Sequence, residues 1–125
     1  MSAAPRSAAL RPLTTVEELE TALAASWRQP VLLFKHSVTC GKSAFAKEEI
    51  DAWLDAQPHV SADLYIVDVL RSQAIVRAIT ERLGIRHESP QVLLIRDGVV
   101  IWHAAHYSIS ESALARALAP GSAGV

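Results

Sequence analysis

Cys40 is the residue in this sequence best suited to covalent chemistry, and its neighbours indicate which kind. Before it run Val31-Leu32-Leu33-Phe34, then Lys35-His36-Ser37-Val38-Thr39; after it the pattern is helical. A thiol at that junction faces unpaired backbone N–H groups and the positive end of a helix dipole, and both favour the thiolate. With an ordinary pKa near 8.5, about 3% of a thiol is ionised at pH 7; a pKa near 6.5 makes that roughly 75%. Lys35, His36 and Lys42 add positive charge nearby in sequence. Ser43 stands three residues on, where Cys-x-x-Cys redox motifs carry their second thiol. A hydroxyl can donate a hydrogen bond to a thiolate but cannot close a disulfide. Such a site would form a mixed disulfide and wait for an outside thiol. The plain alternative is a free cysteine used as a small apolar residue.

Other chemistries find less support. Gly41-Lys42-Ser43 resembles the end of a phosphate-binding loop, but His36 stands where the first glycine is required, so nucleotide binding is rejected. His103 and His106, three apart on a strand, would point to opposite faces, and with His87 they read as structural or polar rather than as metal ligands. His87 and His106 fall at strand ends and could line the thiol cleft. The net charge of −1 gives no electrostatic case for nucleic acid or a membrane surface. A single cysteine excludes an internal disulfide scaffold and fits a reducing, cytoplasmic compartment. No apolar run reads as a signal peptide or a membrane span.

The elements that must position the thiol follow from periodicity and caps. Residues 1–12 and 120–125 read as flexible tails around one domain, 13–119. Thr15-Val16-Glu17-Glu18 is a capping box before a helix with Leu19, Leu23 and Trp27 on one face, ending before Pro30. Val31–Lys35 reads as a strand buried on both sides. A second helix runs from about Cys40 to Ala56, stopped by Pro58. Leu64–Val69 is a strand; Ile75, Val76, Ile79 and Leu83 mark a third helix stopped by Gly84. Gln91–Arg96 and Val99–Ala104 flank the hairpin signal Asp97-Gly98, and Ser108-Ile109-Ser110-Glu111 caps a last helix through Leu114 and Leu118. Strands separated by helices are expected parallel, and the hairpin antiparallel. The order α-β-α-β-α-β-β-α implies an α/β, thioredoxin-like fold: a central mixed sheet of about four strands, flanked by helices, with an extra N-terminal helix. In that topology the turn Ser89-Pro90 packs beside the reactive junction. A cis bond there would expose the Ser89 carbonyl and N–H to an extended thiol substrate.

The sequence is similar to the YtxJ-like bacillithiol system redox-active proteins, the monothiol bacilliredoxins. The likeness lies in Phe34-Lys35-His36-Ser37, Thr39-Cys40 with Ser43, Arg86-His87-Glu88-Ser89-Pro90-Gln91, and Asp97-Gly98 followed by Trp102-His103. It covers about Leu13 to Leu118. The family usually has proline and an apolar residue after the cysteine; here they are Gly41 and Lys42. The resemblance implies reversal of protein S-bacillithiolation, with Cys40 attacking the mixed disulfide. Thr39, Gly41, Lys42 and Ser43 are expected to support the thiol, and Lys35, His36, His87, Ser89 and Pro90 to contact the substrate. The expected co-substrate is bacillithiol, with no tightly bound cofactor or metal. The expected partners are bacillithiolated client proteins and an external thiol or reductase, not nucleic acid or membrane. Cys-Gly-x-Ser also resembles the monothiol glutaredoxins, so an iron–sulfur binding module is one alternative. A non-catalytic stress-associated adaptor is the other.

Overall fold

The computed structural model describes residues 10–57 and 60–119. Its centre is the apolar run that opens the Cys40 segment. This strand, β2 (Val31–His36), is buried from Val31 to Lys35. A continuous apolar run forms a strand only where both faces are covered, and that condition holds here. On one face Leu32 and Phe34 pack with Ile50, Trp53 and Leu54 of helix α2 (Gly41–Ala56) and with Leu114 of α4 (Glu111–Ala117). On the other, Val31 and Leu33 pack with Leu19 and Ala22 of α1 (Val16–Ala25) and with Ile75 and Ile79 of α3 (Gln73–Leu83). The two-residue alternation of the strand sorts its side chains between two cores.

Five strands form the sheet, in the order β1-β3-β2-β4-β5. Strand β3 (Asp63–Asp68) runs parallel to β2, and β1 (Arg11–Pro12) runs parallel to β3. Strand β4 (Gln91–Arg96) runs antiparallel to β2, and β5 (Val99–Ala105) antiparallel to β4. The mixed α/β architecture agrees with the sequence reading; two details are corrected. First, β4 is not parallel to β2 although a helix precedes it. The chain leaves α3 at Gly84, which takes the left-handed conformation at φ 71°. Seven residues, Gly84–Pro90, separate α3 from β4. They can reach about 25 Å, enough to carry the chain the length of a strand before β4 begins. Second, Leu10–Pro12 are not tail. Leu10 is buried in the α2-side core, Arg11 and Pro12 pair with Tyr65 and Ile66, and the Leu13 N–H donates to the Ile66 carbonyl at 2.9 Å. A two-residue strand carries no readable periodicity, and proline is tolerated at a sheet edge. The expected tails at 1–9 and 120–125, and the expected stop at Pro58, lie outside the described residues.

Caps were the most legible local features. The Thr15 hydroxyl accepts from the Glu18 N–H at 3.1 Å and the Glu18 carboxylate accepts from the Thr15 N–H at 3.1 Å. Asp97 and Gly98 both have positive φ, 53° and 79°, as a tight two-residue hairpin requires. Trp27 is the misplaced residue. Helix α1 ends at Ala25, so Trp27 leaves the buried face; it is 68% exposed and lies over Gly98. Among the described residues no helix is long and apolar enough to cross a membrane.

Candidate functional site

Strand β2 ends at His36, and a three-residue turn, Ser37–Thr39, delivers Cys40 as the N-cap of α2 with extended backbone (φ −107°, ψ 125°). The turn is tied down by its own polar groups. The Cys40 N–H donates to the Ser37 carbonyl at 3.2 Å, and the Ser37 and Thr39 hydroxyls lie 3.2 Å apart. Ser43, fully buried, accepts the Ser37 N–H on its hydroxyl oxygen at 3.1 Å. The hydroxyl oxygen is thereby occupied from the strand side, and its hydrogen is left to donate to the thiolate.

The Cys40 thiol is held below its ordinary pKa. The Ser43 N–H contributes most, then the Lys42 N–H; the Ser43 hydroxyl and the Lys42 charge act in the same direction, against some burial. The open N-terminus of α2 thus acts on the sulfur, although the Cys40 side chain makes no capping hydrogen bond there. Gly41 and Lys42 are exposed on the first turn, and a Cβ at Gly41 would meet nothing within 4 Å.

The wall beside this junction comes from the start of β4. Lys35 of β2 is paired with Gln91, so Pro90 stands beside the end of β2 from which the Cys40 turn departs. Antiparallel β4 makes this possible; a parallel strand would have begun at the opposite end of the sheet. The Ser89–Pro90 bond is cis, as anticipated. The Pro90 carbonyl accepts the His106 N–H at 3.0 Å, from the short 3₁₀ turn His106–Ser108 that follows β5. The Ser89 hydroxyl is buried with no partner among the described residues.

The charged neighbours divide between the two faces. Lys35 lies behind the surface, 0% exposed, its amine donating to the Gln91 side-chain oxygen at 2.7 Å. Burial lowers it to about 8, against the raising field of Glu88. His36 points to the α2 side, its ring 5.3 Å from that of Phe34. Burial pushes His36 down; Asp68 opposes this and Lys47 adds to it. The Nδ1 atom of His36 is buried without a partner among the described residues. His87 is exposed on the loop before Pro90 and is lowered by partial burial and by the Lys35 charge. His106 places Nδ1 3.9 Å from the Glu88 carboxylate, while His103 is exposed on β5.

Thr39, Cys40, Gly41, Lys42 and Ser43 therefore share one junction, and Ser89, Pro90 and His87 share the adjoining loop. Two features escaped the residue-level reading. Gln91 organises that loop, and its signal was one polar residue opening an otherwise apolar strand. Phe45 and Tyr107 form an edge-on pair with centroids 5.2 Å apart, tying the 3₁₀ turn to α2. Tyr107 and Val38 are both largely exposed.

Comparison with known proteins fits this geometry. The chain is similar over 92% of its length to a protein with a thioredoxin fold, of which it covers 98%, at 25% identity and a TM-score of 0.78. It is 18% identical to the thioredoxin Mala s 13 of Malassezia sympodialis, covering 98% of each chain at a TM-score of 0.73. For a thioredoxin of Halobacterium salinarum the identity is 22%, the coverage 94% of this chain and 93% of that one, and the TM-score 0.65. The model of the family described as monothiol bacilliredoxin BrxC matches residues 11–114, which hold both the Cys40 junction and the Ser89–Pro90 loop. By that match, on a thioredoxin fold, the chain belongs to the monothiol bacilliredoxin (BrxC) family.

Proposed function

We propose that this protein is a monothiol thiol–disulfide oxidoreductase that removes bacillithiol from protein mixed disulfides. The observation that carries the reading is Cys40 at the N-terminus of α2, its thiol lowered by backbone donors, with Ser43 rather than a second thiol behind it. In the first step the Cys40 thiolate attacks the bacillithiol sulfur. The Cys40–bacillithiol bond forms, the client–bacillithiol bond breaks, and the client sulfur leaves as a thiolate that takes a proton from water. In the second step an external thiol, bacillithiol or a reductase, attacks the bound bacillithiol sulfur. That releases the Cys40 thiolate and carries the oxidation away as a new disulfide.

Bacillithiol as the thiol is supported by the family match and by the Phe34–Ser37 and His87–Gln91 segments. The Ser89 backbone, with Pro90, is the proposed docking edge for the client, and His36 and His87 flank the cleft. The test is intact mass after exposure to a bacillithiolated client. Wild-type protein is expected to gain the mass of one bacillithiol less two hydrogens and to free the client, and Cys40→Ser to do neither while remaining folded. Client release by Cys40→Ser at a rate near wild type would defeat the proposal. A visible chromophore from bound iron and sulfide in the purified protein would favour cluster binding instead.

A further inference from the structure

Lys35 and Gln91 form a buried pair behind the proposed docking edge, and the thiol chemistry uses neither. Lys35 is 0% exposed and Gln91 is 1% exposed. They are register partners at the end of β2 and the start of β4. The Gln91 carboxamide is occupied at both ends. Its oxygen accepts the Lys35 amine at 2.7 Å and the Glu88 N–H at 3.4 Å; its nitrogen donates to the Arg86 carbonyl at 3.1 Å. One side chain thus ties two main-chain groups of the loop that carries Ser89 and Pro90.

The amine decides which way that side chain faces. An ammonium can only donate, so it demands the oxygen end of the amide and leaves the nitrogen end for the Arg86 carbonyl. With the amide reversed, Lys35 and the Glu88 N–H would both meet a donor. Core stability alone does not call for an amine here, because a buried cation is costly and an apolar residue would pack with Leu33 and Leu93 instead. Among the described residues the amine donates to the Gln91 oxygen and to no carboxylate. Glu88 acts on it only through its field, and its carboxylate lies 3.9 Å from His106.

We propose that Lys35 is a positioning residue. By orienting Gln91 it holds the main chain from Arg86 to Glu88, so that the Ser89 backbone is presented to an extended client segment beside Cys40. The pair governs capture of protein mixed disulfides rather than the reactivity of the sulfur. This inference rests on the reading of Cys40 as the thiol that attacks such disulfides.

Two disulfide probes separate the contributions. One is 2,2′-dithiodipyridine, too small to pair with a docking edge. The other is a ten-residue peptide carrying bacillithiol on its one cysteine. Single-turnover rates are measured for the wild type, Lys35→Met, Gln91→Leu and the double variant. For each single variant the peptide rate, divided by the small-probe rate, is expected to fall about tenfold, as for loss of one well-placed hydrogen bond. The fall should appear as a higher half-saturating peptide concentration. The double variant should fall no further than the worse single variant, since both act through one contact. Gln91→Glu keeps an acceptor for the amine but loses the donor to Arg86, so it tests the clamp even where Lys35→Met does not fold; its ratio should also fall. An unchanged ratio in the variants, or equal slowing with both probes, overturns the inference while leaving the proposed function standing. A wild type that reacts with the small probe but not with the peptide overturns the proposed function, and this inference with it.

Discussion

At the scale of single residues, Ser43 does more than stand in for a missing thiol. The spacing Cys40-x-x-Ser43 made its contact with the sulfur legible, but its bond to the Ser37 N–H depends on how the strand meets the helix. Ser43→Ala should therefore cost about 1–3 kcal/mol, the usual penalty for a buried donor left unpaired. It should also move the thiolate midpoint upward; urea unfolding and absorbance near 240 nm would show the two effects, and an unchanged midpoint would remove Ser43 from the thiol's environment. Lys35 was legible as a cation near the thiol and as the end of a buried strand, but only the fold shows that its amine is buried on the Gln91 side chain. Its pKa of about 8 lies below the ordinary 10.5. Between those values the unfolded chain keeps a proton that the folded chain has released, so stability rises with pH across the window. The contribution of Lys35 is fully present above about 10.5 and is lost as pH falls through about 8. Comparing urea midpoints of wild type and Lys35→Met at pH 7.5 and 10 should show the rise in wild type alone. Parallel curves would mean that Lys35 titrates as a solvated lysine.

At the scale of elements, the start of α2 is built around an unused opportunity. Gly41 is its first helical residue, a position where the N–H has no helical partner and proline is well tolerated. Cys40 before it is extended, as a residue preceding proline must be, and space around the Gly41 Cβ is open. The N–H groups that lower the thiol belong to Ser43 and Lys42, not to Gly41. Gly41→Pro should therefore stabilise the protein by about 0.4–1 kcal/mol through the unfolded chain and leave the thiolate midpoint nearly unchanged. Thermal unfolding and the 240 nm titration check both halves; destabilisation would place the local backbone outside the reach of proline. Element reading succeeded where one residue type does one job: the Thr15–Glu18 box, the Gly84 stop, the Ser110 cap. It failed where the outcome depends on distant partners. Nothing local in Arg11-Pro12 specifies an edge strand, and nothing local in Gly84–Pro90 fixes the direction of β4.

At the scale of the whole molecule, the sheet separates two cores, and only one lies under the thiol. The α2-side core holds Ile50, Trp53 and Leu54 from the helix that carries Cys40 at its N-terminus; the other core holds Ile75 and Ile79 from α3. The N–H groups that lower the thiol, those of Lys42 and Ser43, lie in the first turn of α2, so their aim depends on how that helix seats on the sheet. Ile50→Ala and Ile79→Ala remove the same atoms from fully buried sites on opposite faces. Each should cost about 2–5 kcal/mol of stability. Ile50→Ala should also loosen the seat of α2 and raise the thiolate midpoint of Cys40. Ile79→Ala should leave the midpoint where it is, because α3 reaches the thiol only through an intact sheet. The pair is matched in chemistry, burial and expected cost, so a difference in the midpoint cannot come from stability alone. If both variants shift the thiol equally, the sulfur responds to global loosening and not to its own helix. If neither does, the turn bonds of Ser37, Thr39 and Ser43 hold the thiol's environment without help from the core beneath α2.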